Sequence, residues 1–444
     1  MLSVLANRTY RQLFLAQIIA LIGTGLATVA LGLLAYDIAG ANAGAVLGTA
    51  MAIKMVAYIG VAPIVGAYAS RLPRRSFLVA MDAIRALVVM ALPFVDQVWQ
   101  IYVLIFVLQS ASAGFTPTFQ ATIPDVLPQE KDYTKALSLS RLAYDMESLT
   151  SPMMAAALLT VMNFHWLFSG TAVGFVCSAL LVLATTLPRS AARKSSGGIY
   201  ANTTRGARLY LKTPRLQGLL AVTLAAAAAS AMVIVNTPVL VQGVLGRGQS
   251  AVAITLAAFG GGSMLAALAL PRLLERLSDR TVMLSAGSAM TAALAALALS
   301  WSGHASPGYW GVILAGWMVL GVAYSASITP GGRLLRRSSG EEDRPALFAA
   351  QFALSHVCWL VAYPLAGQAG ALGSMGIAFG VSAVLALIGT LIAIRIWPTD
   401  DPEVVAHTHD GLPSDHPHLV EGHPDGRASH AFVIDELHPR WPIQ

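Results

Sequence analysis

The chain has 444 residues, of which 56% are hydrophobic and only 11% charged, and its formal net charge is +6. About a quarter of the residues in a soluble domain are charged, so a chain with mean hydropathy +0.65 has too little polar surface to face water, and its solvent is lipid. The basic residues are spread over short loops instead of forming one patch, which argues against a nucleic-acid partner and for membrane topology.

A membrane helix needs about 20 mostly apolar residues. Runs of this kind cover 12–36, 43–69, 77–95, 99–123, 134–161 and 165–187, then 216–241, 249–274, 281–301, 308–330, 345–369 and 374–397. The first run leads directly into the next hairpin, so it reads as a membrane helix and not as a cleavable signal. The pattern is six spans, a break and six more. It predicts an all-α membrane protein of about twelve transmembrane helices in two six-helix pseudo-repeats. The expected organisation is an N-terminal bundle over 1–187, a linker over 188–215, a C-terminal bundle over 216–397 and a disordered tail over 398–444. The linker holds Ser195, Ser196, Gly197, Gly198 and seven basic residues. An amphipathic surface helix around Thr204–Pro214 is compatible with it.

The 28 Lys and Arg residues test this topology. On the side of both termini and the linker lie 24; the opposite side holds Arg247 alone; Lys54, Arg85 and Arg141 fall inside spans. The positive-inside rule then assigns both termini and the linker to the cytoplasm of a bacterial-type inner membrane. Cys177 and Cys358 lie inside apolar runs without metal spacing, so no disulfide is expected. The halves also echo each other. Phe115–Thr116–Pro117 and Ile328–Thr329–Pro330 close the fourth and tenth spans, Ala136–Leu137 and Ala346–Leu347 open the next ones, and Pro152 and Pro364 follow.

Between the second and third spans the sequence runs Gly66-Ala67-Tyr68-Ala69-Ser70-Arg71-Leu72-Pro73-Arg74-Arg75. This resembles the signature loop of the major facilitator superfamily, roughly G-x-x-x-D-R-x-G-R-R. Gly66, Arg71, Arg74 and Arg75 match; Ser70 stands at the acidic position and Pro73 at the second glycine. The loop 271–280 is a weaker echo, and Ser151-Pro152 stands where exporters of the family often carry Gly-Pro. The resemblance covers roughly residues 8–397 and looks most like the drug- and siderophore-efflux branch. It implies a secondary transporter in which that loop is a charge latch on the cytoplasmic side. Asp82 and Arg85, early in the third span, are candidates for its missing partner charge.

Charges inside a bilayer are costly unless they face protein or water and find partners. Arg141 and Asp145 are four residues apart and share one helical face. Glu147 lies about 200° around from Asp145. Asp145 or Glu147 is the expected proton carrier, with Lys54 near the middle of the second span; a permanent Arg141–Asp145 pair locking two helices is the competing structural reading. Asp37, at the end of the first span, reads as an outer gate or as a headgroup-level helix end. Gln17 and Gln109 reach toward substrate or bond across helices. His356 with Cys358 is a possible soft-metal contact or packing. Gly23-Thr24-Gly25 and residues 260–262 follow no strand, so they permit close helix contact and do not cradle phosphate.

After Trp397 the chain turns polar, and seven of the ten histidines lie there. His407-Thr408-His409 and His416-Pro417-His418, with His423 and interspersed carboxylates, suit divalent nickel, zinc, cobalt or copper. The tail resembles those of nickel-resistance exporters of the same superfamily. It reads as a metal collector or as a solvated tail that binds metal incidentally. The sequence has no H-E-x-x-H or other catalytic constellation, so no enzyme and no cofactor are expected. The resulting expectation is proton-coupled efflux through the lipid bilayer of a small solute, with a divalent metal such as nickel slightly ahead of an organic compound.

Overall fold

The computed structural model describes residues 2–39, 43–69, 72–188, 199–301, 308–372, 374–401, 404–408, 427–434, 438 and 441. Six long helices come first: α1 (Arg8–Ala39), α2 (Ala43–Ala69), α3 (Arg74–Ala91), α4 (Val98–Val126), α5 (Glu130–Leu159) and α6 (His165–Leu183). A shorter α7 (Ile199–Lys212) precedes α8 (Pro214–Pro238), α9 (Gln249–Leu273), α10 (Asp279–Ser300), α11 (Tyr309–Ile328), the short α12 (Gly331–Arg337), α13 (Arg344–Leu372) and α14 (Met375–Ile396). Among the described residues, eleven helical segments are long and apolar enough to cross a membrane. The twelfth long helix is α5, which falls short because it carries Arg141, Asp145 and Glu147 besides a charged first turn, and which packs against α1 and α9.

Local chemistry sets several helix ends. Gln97 and Gln100 cap the start of α4 reciprocally, and the hydroxyls of Ser278 and Ser374 accept the Thr281 and Ile377 amides at α10 and α14. Pro73 precedes α3, and Pro214 opens α8, where a missing amide hydrogen costs nothing.

Two sets of apolar clusters divide the helices. Leu34, Val89, Ile101 and Phe168 centre one among α1–α6, and Met290, Ile313, Trp317 and Phe379 centre another among α8–α14. Small residues allow close backbone approach. A Cβ on Gly321 of α11 would stand 2.8 Å from the carbonyl carbon of Phe259 in α9, and the reciprocal Gly262 lies against Met318. Large apolar side chains such as Leu87, Val173, Leu180, Leu265, Leu299 and Val384 point outward, as lipid requires.

The helix in the expected linker, α7, is docked. Its Tyr210 is fully buried and donates to Gln351 of α13, and Arg205 holds Asp343 through two bonds of 2.7 and 2.9 Å. Burial pushes the Tyr210 phenol well above its ordinary value, so it stays a donor. α7 touches both α2 and α13, and we call its end of the bundle the linker face.

Within the expected tail, 398–444, the described residues include a strand pair. Val404–Thr408 (β1) pairs antiparallel with Arg427–Ala431 (β2), Val404 opposite Ala431 and His407 opposite Ala428. Beyond β2, Phe432 and Ile434 are buried against Leu209 of α7 and Trp441, and Asp401 holds Arg215 at 3.2 Å. The short apolar stretches at both ends of the tail supply a ladder and an anchor that its average composition hides. His409, His416, His418 and His423 lie outside the described residues, as does Arg71.

Candidate functional site: a latch at the linker face and a charged stripe inside the bundle

At the linker face the two helix groups are tied by charge. Asp125, at the end of α4, accepts from Arg74 of α3 and from Arg344 at the start of α13. Arg333 of α12 reaches Glu130 of α5, donates to Thr134 at 2.9 Å and lies 3.1 Å from Asp279 of α10. Lys131 and Glu275 pair at 2.9 Å on the surface, where the ammonium holds the Glu275 carboxyl below its ordinary value. Below these pairs Gly66 of α2 meets Ala346 and Ala349 of α13 directly; a Cβ at 66 would stand 3.2 Å from the Pro345 oxygen. The glycine of the signature-like loop thus permits the helix crossing that the charges then hold.

Asp82 and Arg85 do not belong to this latch. They pair with each other inside the first group, with Ser178 donating to Asp82 at 2.8 Å and the Arg85 guanidinium over Phe115 and Phe175 at 4.1 and 4.6 Å. Asp82 is eight residues into α3 from Arg74, about 12 Å along the axis at 1.5 Å per residue, too far to serve the loop. Asp125 is the carboxylate that does.

Deeper in the bundle a second polar set forms. Arg141 and Asp145 of α5 pair, and Ser263 of α9 joins them, donating to Asp145 at 2.6 Å and accepting from Arg141 at 3.1 Å. Tyr324 of α11 lies under the Arg141 guanidinium at 4.8 Å. Asp145 is 3% exposed, so this triad joins the two helix groups away from water. Glu147 faces the other way. With Ser151 it lies against Gly25 of α1, within electrostatic reach of Lys54 on α2.

Around Lys54 the lining is aromatic. Its ammonium sits 5.5 Å over Tyr58, whose hydroxyl donates to Gln109 at 2.8 Å. Tyr58 meets the edge of His356 on α13 at 4.6 Å, and Phe352 and Trp359 flank that imidazole. His356 Nδ1 lies 2.6 Å from the Phe352 carbonyl, which only accepts, so Nδ1 carries a hydrogen. Gln17 accepts from Ser140 at 3.0 Å, an α1–α5 bond.

Other expected sites stay apart. Cys358 points away from His356 toward the Leu220 and Leu354 carbonyls of its own packing layer, because residues two apart on a helix face opposite ways. The soft-metal contact is therefore not formed. Asp37 is exposed at the far end of α1, and Arg75 is exposed at the start of α3 beside the latch. Sequence reasoning missed Asp125 as a latch residue, Ser263, Tyr58 and Tyr324. The one available signal was polarity inside apolar runs, and it does not say which neighbour each residue meets.

Two groups of membrane-length helices joined by a charge latch at one end and a polar stripe inside define a multi-span membrane transporter. The family model of the Major Facilitator Superfamily matches residues 13–306 and 219–422, and the chain belongs to that superfamily. An uncharacterized MFS-type transporter, YfiS of Bacillus subtilis, is 28% identical over 129 residues, 29% of this chain and 30% of that protein. Macrolide efflux protein A of Enterococcus faecalis is 25% identical over 160 residues, 34% of this chain and 49% of that protein. The chain thus spans less than half the length of these curated relatives. Among solved structures, a bacterial homologue of the iron transporter ferroportin in an outward-facing state aligns with TM-score 0.72 and 14% identity over 87% of this chain and 98% of its own. The proton:xylose symporter XylE aligns with TM-score 0.70 and 12% identity over 88% and 96%. At such identities the likeness is one of fold.

Proposed function

We propose that this protein is a proton-coupled exporter of a small organic compound, working by alternating access in a bacterial inner membrane. The positive-inside bias supports a cytoplasmic linker face and cytoplasmic termini. The expected six-helix bundles at 1–187 and 216–397 are the two moving bodies. In this reading the latch at the linker face closes the bundle toward the cytoplasm.

The Arg141–Asp145–Ser263 triad carries the proposal, because it joins the two bodies across α5 and α9 in the middle of the membrane. A proton on Asp145 cancels the negative charge of the pair and turns one of its two acceptor oxygens into a donor, which weakens the hold on Arg141 and Ser263. α5 and α9 then loosen, while Arg141 keeps its place over the Tyr324 ring. Deprotonation on the other side restores the bridge. Glu147 with Lys54 forms a second titratable pair within the first body. The aromatic wall of Tyr58, Phe352 and Trp359 around His356 suits a flat or cationic organic solute. The kinship with macrolide efflux proteins supports the outward direction.

Divalent metal export, expected from the histidine-rich tail, takes second place. His356 is packed among rings, and among the described residues no three His, Cys, Asp or Glu side chains converge. The test is uptake by everted vesicles of a lipophilic dye and of nickel, energised and de-energised, with and without residues 398–444. Gradient-driven dye uptake lost in Asp145→Asn, with exchange across the membrane retained, is the expected result. Full gradient-driven transport by that variant would end the coupling role, and tail-dependent nickel uptake would restore the metal reading.

A further inference from the structure

Beside the latch lies a cavity of roughly 220 Å³ whose wall includes five arginines: Arg215, Arg333, Arg336, Arg337 and Arg344. Glu130 and Tyr133 of α5 complete it. A water molecule occupies about 30 Å³ in the liquid, so the space admits a tetrahedral oxyanion with water around it. Arg333, Arg336 and Arg337 stand at i, i+3 and i+4 on α12, which turns three guanidiniums to one side. All three are half-buried, so the cavity is open to small solutes.

Donors in this wall lack partners of the expected kind. Tyr133 is 1% exposed, and among the described residues its hydroxyl has no hydrogen-bond partner. A buried hydroxyl left so is costly, and a ligand oxygen in the cavity would satisfy it. Arg336 forms no ion pair among the described residues; its guanidinium lies 5.8 Å over the Tyr133 ring and donates to the Pro128 carbonyl. The Arg344 Nε, on the same wall, is also without an acceptor. Arg215, Arg333, Arg337 and Arg344 already hold carboxylates, so Arg336 is the guanidinium placed to grip a phosphate oxygen, and the other four add positive field around it.

We propose that this cavity binds a phosphate-type oxyanion, supplied by an anionic lipid headgroup or by a free phosphate. Its place at the linker-face ends of α5, α8, α12 and α13 suits a headgroup, and basic pockets between membrane helices take such headgroups. Tyr133 belongs to the first helix group and the arginines to the second, so an anion held by both ties the two together and favours the closed linker face. The site stands apart from the transported solute and from Asp145.

The test follows the melting temperature of the full-length protein. In neutral detergent it is titrated with inorganic phosphate against chloride at equal ionic strength; in nanodiscs, phosphatidylglycerol is compared with phosphatidylcholine. The expected result is a saturable rise with at least one of the two probes. Its midpoint moves about tenfold in Arg336→Gln, the loss of one charge-assisted bond, and about threefold in Tyr133→Phe, the loss of one neutral bond. A response to phosphate in detergent assigns the site to free anions, and a response to phosphatidylglycerol alone assigns it to lipid; both sustain the site. No response to either probe overturns it, as does a response identical in wild type and both variants. Tyr133→Phe removes a single oxygen and keeps the packing, so the test survives if Arg336→Gln fails to fold.

Discussion

The latch makes a quantitative prediction at Asp125. Asn at this position keeps the shape but removes the carboxylate that bridges Arg74 and Arg344, whose side chains are only 4% and 10% exposed. Removing one partner of a buried pair costs about 3–5 kcal/mol because the remaining charge is left uncompensated. Here two guanidiniums are left facing each other, and Glu341, which acts on Arg74 electrostatically, gives some relief, so the low end, about 3 kcal/mol, applies. At 1.4 kcal/mol per tenfold, the closed linker face should lose about a hundredfold in population. A 99:1 equilibrium would then become roughly even. Spin labels at the exposed positions Gln129 and Gly340, after replacing Cys177 and Cys358 by serine, report the separation of the two groups. The wild-type protein should give one short distance, and Asp125→Asn should add a second, longer population of comparable size. Superimposable distributions would refute the argument. Glu275→Gln is the control: its pair with Lys131 is 50% and 67% exposed, and such surface pairs contribute little, so the distribution should not move.

Asp82→Asn should lower thermal stability by about 3–5 kcal/mol, since Arg85 would be stranded in an apolar site, whereas Asp82→Leu with Arg85→Met should recover much of the loss; equal melting of the single variant and wild type would contradict this. Gly321→Ala should cost about 1–3 kcal/mol by forcing α11 off α9, while Gly311→Ala, where a Cβ meets nothing within 4 Å, should melt like wild type; the difference in melting temperature decides. The Glu275 carboxyl is depressed by Lys131, so their ion pair is present above the ordinary carboxylate range, near pH 4.3, and is lost as pH falls through the lowered value. NMR titration of isotope-labelled glutamate should place the Glu275 midpoint below that range, and Lys131→Met should bring it back up.

What the sequence determined by itself was the class of molecule and its layout. Lipid as solvent, about twelve spans, a central break and one basic side all follow from where apolar runs and charges fall, because the bilayer imposes one length and one charge rule on every span. Pairs within one helix were also legible: Arg141 with Asp145 follows from four-residue spacing alone, and so does the separation of Glu147 from them. Partners on different helices were not. Asp125 reads in the chain as the end of an apolar run, and only the approach of α13, permitted by the bare backbone of Gly66, brings Arg344 onto it. Ser263 sits in a glycine-rich stretch that suggests packing and nothing more, yet it is the hydroxyl that bridges the Arg141–Asp145 pair to α9. Asp82 was drawn to the wrong partner because sequence proximity to the loop conceals a rise of about 12 Å along a helix. Helix periodicity is a local property written residue by residue; the meeting of two helices depends on the rotation and depth of each, which packing of all the others decides.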